Sequence, residues 1–273
     1  MLCFPNAKIN IGLNIIEKRT DGFHNLETLF YPIGLSDILE FTINDNQAKN
    51  INFSNTGINI EGDYNSNLIM KACKLMINKK SYDKLNIHLH KIIPIGAGLG
   101  GGSSDATSMV KALNEELNLG LTKNELQNYS QQLGSDCAFF IDNIPSLAYE
   151  KGNKIKRVNF SLKGYYLVLI VPPIHISTKE AYANITPSKP KISLSDLIKK
   201  PVIEWRNNIK NDFEDSIFPN YTEIKNIKNK LYELGAVYAS MSGSGSSVYG
   251  LFENFIDAKK YFDSSYFIWQ EIL

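Results

Sequence analysis

Between Ile95 and Thr107 the chain reads IGAGLGGGSSDAT, with glycine at 96, 98, 100, 101 and 102 and hydroxyls at 103 and 104. Glycine at that density lets another group come very close to the backbone and lets the chain adopt positive φ. An apolar run precedes the stretch and an amphipathic one follows, which predicts a strand-to-helix turn. A helix start offers unpaired N–H groups and the positive end of the helix dipole, both suited to phosphate oxygens. Ser103 and Ser104 can cap that helix or donate to a phosphate.

Other phosphate loops fit less well. Gly96-x-Gly98-x-x-Gly101 formally matches the dinucleotide fingerprint, but that fingerprint needs a second parallel strand ending in Asp or Glu about twenty residues on. Here residues 114–120 read as the end of one helix leading into another. A Walker A loop ends in Gly-Lys-Ser/Thr, whereas Gly102 is followed directly by Ser103. Neither H-R-D nor D-F-G, the companions of a protein-kinase glycine loop, occurs in the chain.

A hydroxyl nucleophile attacking a phosphate benefits from a carboxylate that accepts its proton. Asp136, between Leu133-Gly-Ser and the apolar run Cys137–Ile141, sits where a side chain can face a cleft, although an Asp after Gly-Ser is also a common turn residue. Lys8 and Asn10 lie in AKINIGLNI, residues 7–15, where Ala7, Ile9, Ile11, Leu13 and Ile15 alternate with polar residues and Gly12. That period of two predicts a strand with one buried and one polar face, Lys8 and Asn10 pointing the same way. His88 and His90 share a strand face but lack a third ligand, so their role reads as structural.

The bulk composition narrows the class. Lys+Arg 29 against Asp+Glu 28 leaves a net charge of +1, so no field of one sign invites nucleic acid. Cys3, Cys73 and Cys137 are too far apart for a disulfide framework or zinc knuckle and read as reduced thiols. MLCFPNAKIN lacks a basic leader and apolar h-region, and the apolar run Tyr165–Val171 is too short to span a bilayer. A soluble, cytoplasmic protein without a membrane partner is expected.

Positioning these residues requires helices over 67–76 and 103–117, a helix opening with the capping box Thr122–Glu125, and a strand over 85–93. The polar stretch 150–157 suggests a boundary, dividing the chain into 1–157 and 158–273. The second part predicts a strand over 165–171, a helix opening at Ser177, and a helix over 221–234 closed by Gly235. Strands over 237–241 and 248–252, a helix near 254–262 and a last strand over 267–272 follow. That order suits a ferredoxin-like α+β sandwich.

Pro94–Ala106, PIGAGLGGGSSDA, closely resembles the ATP-binding motif of the galactokinase–homoserine kinase–mevalonate kinase–phosphomevalonate kinase superfamily, the GHMP kinases. Ala7-Lys8-Ile9-Asn10 with Asp21-Gly22-Phe23-His24 is similar to the N-terminal signature of one branch, and LGSDCAFF, residues 133–140, to its catalytic motif. MSGSGSS, residues 241–247, resembles the family's third glycine loop. That branch phosphorylates the 2-hydroxyl of a substrate with a cytidine diphosphate head, in non-mevalonate isoprenoid precursor synthesis. Homoserine, mevalonate and sugars carry no base to stack, so the Gly-Phe-His motif argues against the other branches.

The resemblance covers nearly the whole chain. It implies an α+β, two-domain fold: an N-terminal ATP-binding α/β domain over 1–157, a C-terminal ferredoxin-like domain over 158–273, and the active site in the cleft between them. It implies Asp136 as the proton acceptor and Lys8 as its catalytic companion at the substrate hydroxyl. For ATP it points to Asn67 and Lys91 near the adenosine, and to Pro94, Gly96, Gly98, Leu99, Gly100, Gly101, Gly102, Ser103 and Ser104 along the motif. Mg2+ should bridge the β- and γ-phosphates, and no carboxylate identifies itself as its ligand. For the substrate it points to Asn10, Phe23, His24, Thr178 and Tyr182, with Phe23 and Tyr182 sandwiching the base. Phe23 stands where relatives often carry Tyr, which keeps stacking but loses a hydroxyl. A monomer or homodimer is expected.

Overall fold

The computed structural model describes residues 1–44, 50–77 and 84–273. Contacts divide the chain into two compact units, each made of separate stretches of sequence. Met1–Ala7, Gly34–Ile95 and Gly100–Ile144 form the first; Lys8–Ile33, Gly96–Leu99 and Pro145–Leu273 form the second.

Among the described residues, the first unit has a four-stranded sheet in the order Leu2–Cys3, Ile38–Asn44, Lys84–Lys91, Asn50–Gly57. The last two pair parallel, and Ile38–Asn44 pairs antiparallel with Lys84–Lys91. Leu85, Ile87 and Leu89 alternate with His88 and His90, whose ring nitrogens lie 2.9–3.0 Å from the Ser54 and Thr56 hydroxyls. Helices Leu68–Ile77 and Gly101–Glu116 share one core with those leucines through Met70, Cys73, Ala106, Met109, Val110 and Leu113. Their 3.6-residue spacing is what turns one stripe of each helix inward. Helix Lys123–Gln131 carries the predicted capping box of Thr122 and Glu125.

The second unit takes most of a sheet with the strand order Asn6–Lys18, His24–Ser36, Ser146–Glu150, Lys154–Arg157, residues 6–7 and 34–36 belonging to the first. The predicted first strand is present and longer, but its polar face is dry: Lys8 is 2% and Asn10 3% exposed. Thr28 of the adjacent strand covers it, accepting from Asn10 Nδ2 at 2.9 Å. The polar stretch 150–157 folds as a hairpin, Lys154–Arg157 pairing antiparallel with Ser146–Glu150.

A further sheet in this unit runs Tyr238–Met241, Val248–Phe252, Tyr166–Val171, Phe267–Ile272, each neighbour antiparallel. This is the ferredoxin-like order predicted from the sequence. Helix Thr222–Glu233 places Ile224, Ile227 and Leu231 in a core with Val168, Ile170 and Val248. Full burial of a side chain such as Leu231 contributes about 1.5–3 kcal/mol. The helix predicted near 254–262 is instead a single 3-10 turn, Ala258–Lys260. Gln270 accounts for the difference, accepting from the Ala258 N–H at 3.1 Å and donating to the Ile256 carbonyl at 2.5 Å. Backbone groups that a helix would pair internally are held by a side chain of the last strand. Among the described residues, no helix is long and apolar enough to cross a membrane.

Candidate active site

In the second unit the Lys8 N–H donates to the Leu99 carbonyl at 2.9 Å, pairing the first strand with the glycine loop. Lys8 Nζ donates to Asn10 Oδ1 at 2.6 Å and to the Gly98 carbonyl at 2.9 Å, with the Phe30 ring centroid 5.1 Å away. A buried ammonium requires such acceptors. Gly98 has φ +78°, and a Cβ there would lie 2.0 Å from the Ser242 carbonyl oxygen. Only glycine lets the loop 242–247 approach so closely. Ser247 adds two bonds to the Ala97 carbonyl, from its N–H at 3.3 Å and its hydroxyl at 2.6 Å. His175 lies against Gly96, its Cε1 2.9 Å from where a Cβ would stand.

In the same unit, the turn Arg19–Phe23 leads into His24, whose ring stacks on Tyr182 with centroids 4.6 Å apart and planes 15° apart. Phe213 meets Tyr182 edge-to-face at 4.8 Å. Burial, and then the Lys18 ammonium, push the His24 imidazole below its ordinary value. Near neutral pH it therefore presents one N–H donor and one acceptor nitrogen. Phe23 does not stack on Tyr182; it is 58% exposed, with Lys151 Nζ 4.7 Å from its ring centroid. Thr178 opens the helix Thr178–Ala183, one turn before Tyr182 and capped by Ser177.

In the first unit, helix Gly101–Glu116 starts from Gly100 at φ +71° without a side-chain cap. Among the described residues no protein acceptor meets the N–H groups of Gly101, Gly102 and Ser103. That is the donor set a phosphate group requires. Thr107 Oγ1 donates to the Cys137 carbonyl at 2.9 Å, and a Cβ on Gly134 would lie 3.7 Å from Ser103 Oγ. Asp136 is thereby held beside the helix start, half-buried, its Oδ1 accepting from Ser135 Oγ at 3.2 Å. Burial pushes the Cys137 thiol up to about 11; Ser103 opposes this and the Asp136 carboxylate adds to it.

Lys91 is buried, its ammonium bonded to Asp37 and, at 3.0 Å, to Asp105. It lies directly under the helix start, 2.9 Å from where a Cβ on Gly101 would be. The other Asp37 oxygen accepts from the Ile92 and Ile93 N–H groups at 2.6 and 2.8 Å. Asn67 Oδ1 accepts from the Ile69 N–H at 2.8 Å, and Leu68 lies 3.9 Å from the Cβ position of Gly102. Among the described residues, no group of three His, Cys, Asp or Glu side chains is arranged to hold a metal.

A family model of the GHMP kinases N terminal domain matches residues 67–148, and one of the GHMP kinases C terminal part matches residues 193–263. The 4-diphosphocytidyl-2-C-methyl-D-erythritol kinase of Bacteroides thetaiotaomicron is 52% identical over 253 residues, 93% of this chain and 92% of its own. The chain belongs to the GHMP kinase family. The enzyme of the same name from Porphyromonas gingivalis is 41% identical to this GHMP kinase over 275 residues, 100% of each chain. A crystal structure of a 4-(cytidine 5'-diphospho)-2C-methyl-D-erythritol kinase superposes with a TM-score of 0.79 at 29% identity, covering 92% of this chain and 90% of that one.

In the second unit of this GHMP kinase Lys8 meets Gly98; in the first, Asp136 stands beside Ser103, Lys91 lies beneath Gly101, and Leu68, next in sequence to Asn67, faces Gly102. Within the second unit His24 also meets Tyr182, whereas Phe23 is exposed and meets Lys151. Sequence reasoning passed over Asp37, His175, Asn211 and the positions of Asp105 and Ser242. The last two lie inside motifs already quoted, SSDAT and MSGSGSS, so a signal existed; the others are isolated residues without one.

Proposed function

We propose that the chain is a cytoplasmic, ATP-dependent kinase that phosphorylates the 2-hydroxyl of 4-diphosphocytidyl-2-C-methyl-D-erythritol, in the supply of isoprenoid precursors. The observation that carries this is the Lys8 ammonium fixed on the carbonyl of Gly98, within a glycine loop that runs into an uncapped helix start. A fixed cation and unpaired N–H groups at a helix start are what phosphoryl transfer asks of a protein. The names of relatives matching over more than nine-tenths of the chain support the substrate.

In the proposed reaction Asp136 accepts the proton of the 2-hydroxyl. The oxygen forms a bond to the γ-phosphorus as the bond to the ADP oxygen breaks, and Lys8 stabilises charge at the reacting oxygen. N–H groups of Gly101–Ser103 hold phosphate oxygens, with Asn67 and Lys91 on the adenosine side. Bound with the nucleotide, Mg2+ would neutralise the β- and γ-phosphates; a donor set of N–H groups fits a metal carried by ATP rather than by a protein cage. Tyr182 and His24 supply the stacking surface and edge contacts for the cytosine, with Phe23 and Thr178 at its margin. Residues 1–157 and 158–273 form the two domains, a division supported by one family model falling inside each.

The test is to incubate the protein with Mg-ATP and the cytidyl substrate, homoserine, mevalonate or galactose in turn, and to measure ADP release. Turnover on the cytidyl substrate alone is expected. Turnover on another acceptor instead would transfer the assignment to that branch.

A further inference from the structure

We propose that Ser242 is a positioning residue for Lys8, held in place by Asn211, so that the third glycine loop sets the direction of the Lys8 ammonium. This rests on the kinase reading above, in which Lys8 acts at the reacting oxygen. All the residues involved lie in the second unit.

A lysine is a point charge on a flexible stem, and it aids one oxygen only if its head is fixed. Lys8 Nζ donates to Asn10 Oδ1 at 2.6 Å and to the Gly98 carbonyl at 2.9 Å. Ser242 holds both of those acceptors. Its hydroxyl donates to the Gly98 carbonyl at 2.9 Å and accepts from the Asn10 N–H at 3.1 Å, with Asn10 Oδ1 3.4 Å away. The two lone pairs of the Gly98 oxygen are thus filled by Lys8 and Ser242 together.

Ser242 is itself fully buried and fixed from both sides. Asn211 Nδ2 donates to the carbonyls that flank it, Met241 and Gly243, each at 2.8 Å, while Asn211 Oδ1 accepts from the Phe213 N–H at 3.0 Å. Residues 210–212 pair in turn with the strand that carries Lys8. The Leu13 N–H donates to the Lys210 carbonyl at 2.9 Å, and the Asp212 N–H to the Leu13 carbonyl at 2.8 Å. Glu214 closes the outer side, accepting from the Met241 N–H at 2.9 Å and from Lys228. A hydroxyl pinned through its neighbours' carbonyls cannot follow a drifting lysine, so the lysine must conform to it.

Asn10 then acts on Lys8 rather than on substrate. Its Oδ1 accepts from Lys8, and its Nδ2 donates to Thr28 Oγ1 at 2.9 Å, which donates on to the Gly12 carbonyl at 2.5 Å. The chain Asn211–Ser242–Asn10–Lys8 is a buried network in which each member orients the next.

Three variants test it: Ser242→Ala, Ser242→Thr and Asn211→Ala, with Ser242→Ala also made in a Lys8→Ala background. Ser242→Ala should lower kcat by about 10- to 100-fold, the span of a misplaced catalytic group, while KM for ATP stays within about twofold. Ser242→Thr, keeping the hydroxyl, should restore most of it. In the Lys8→Ala background Ser242→Ala should cost nothing further. Equal losses in both backgrounds would overturn the proposal, because a merely structural serine acts without Lys8. A second readout needs no turnover: the 15N ammonium resonance of Lys8, assigned with Lys8→Arg, should shift or broaden in Ser242→Ala and in Asn211→Ala while that of Lys91 stays in place. An unchanged Lys8 resonance in either folded variant overturns the proposal. If the wild-type protein turns over no cytidyl substrate while the resonance shifts as expected, the substrate assignment alone fails.

Discussion

The Lys8 ammonium donates to the carbonyl oxygen of Gly98 at 2.9 Å, across 90 residues of chain. The charge is anchored on the glycine loop itself, with the Phe30 ring centroid 5.1 Å away. Lys8→Met should therefore lower kcat by about 10²- to 10³-fold, the usual loss for one preorganised donor. Lys8→Arg should not restore it, since the wider guanidinium cannot replace a point charge with two short bonds in a buried pocket. Steady-state ADP release measures both, and substantial activity in the methionine variant would remove Lys8 from the chemistry.

Gly98 predicts a difference between two glycines of similar backbone. Gly98→Ala places a Cβ 2.0 Å from the Ser242 carbonyl oxygen, whereas Gly22, at φ +83°, has nothing within 4 Å. Both substitutions incur left-handed strain of about 1–2 kcal/mol, and only the first adds a backbone collision. The urea midpoint of Gly98→Ala should fall well below that of Gly22→Ala. Equal midpoints would mean that the two glycine loops are not in contact.

Asp136 is half-buried and stands at a helix start rather than in a core. Asp136→Ala should cost at least about 10²-fold in kcat, as expected for a lost general base. The melting temperature should hardly change. A near-normal kcat would show that another group takes the proton.

Tyr182 carries its own prediction. Its ring stacks on His24 at 4.6 Å, and a base stacked there would lose about 1–3 kcal/mol when the ring is removed. Tyr182→Ala should raise KM for the cytidyl substrate about tenfold or more while leaving KM for ATP within about twofold. Equal changes in both would separate Tyr182 from the base.

Much of this was legible in the sequence where local pattern and function coincide. The alternation from Ala7 to Ile15, the Thr122–Glu125 cap and the helical spacing of Met109, Val110 and Leu113 each specify an element by short-range physics alone. The strand His24–Ser36 was not legible, because Pro32 and Gly34 interrupt its pattern. The helix expected near 254–262 failed for a longer-range reason: Gln270, from another strand, takes the backbone groups of Ile256 and Ala258. The site divides in the same way. Lys8, Asp136 and the glycines lie in contiguous motifs, while what holds them is dispersed: Asn211 acts on a loop 30 residues on, and Asp37 on Lys91 across 54. Alternation puts Lys8 on a polar face without showing that the face is buried, since period two tells which residues share a face but not what covers it.

Asp105 gives a pH dependence whose sign is fixed by its surroundings. Burial raises its carboxyl above the ordinary carboxylate value; the Lys91 ammonium works against this and the neighbouring Asp37 carboxylate works with it. One ammonium therefore serves two buried acids, and Asp37 has the stronger claim, with two backbone N–H groups on its other oxygen. In the unfolded chain Asp105 loses its proton near pH 3.9. Above that pH the folded state still binds a proton that the unfolded state has released, so this group's contribution to stability falls as pH rises toward its raised folded value. Asp105→Asn keeps the shape and a neutral head and removes that fall. Its melting temperature relative to wild type should therefore climb steadily from pH 4.5 to pH 8, as measured by calorimetry in one buffer series at constant ionic strength. A difference that stays flat, or that declines with pH, would mean that Asp105 is ionised in the folded protein and that Lys91 balances both carboxylates.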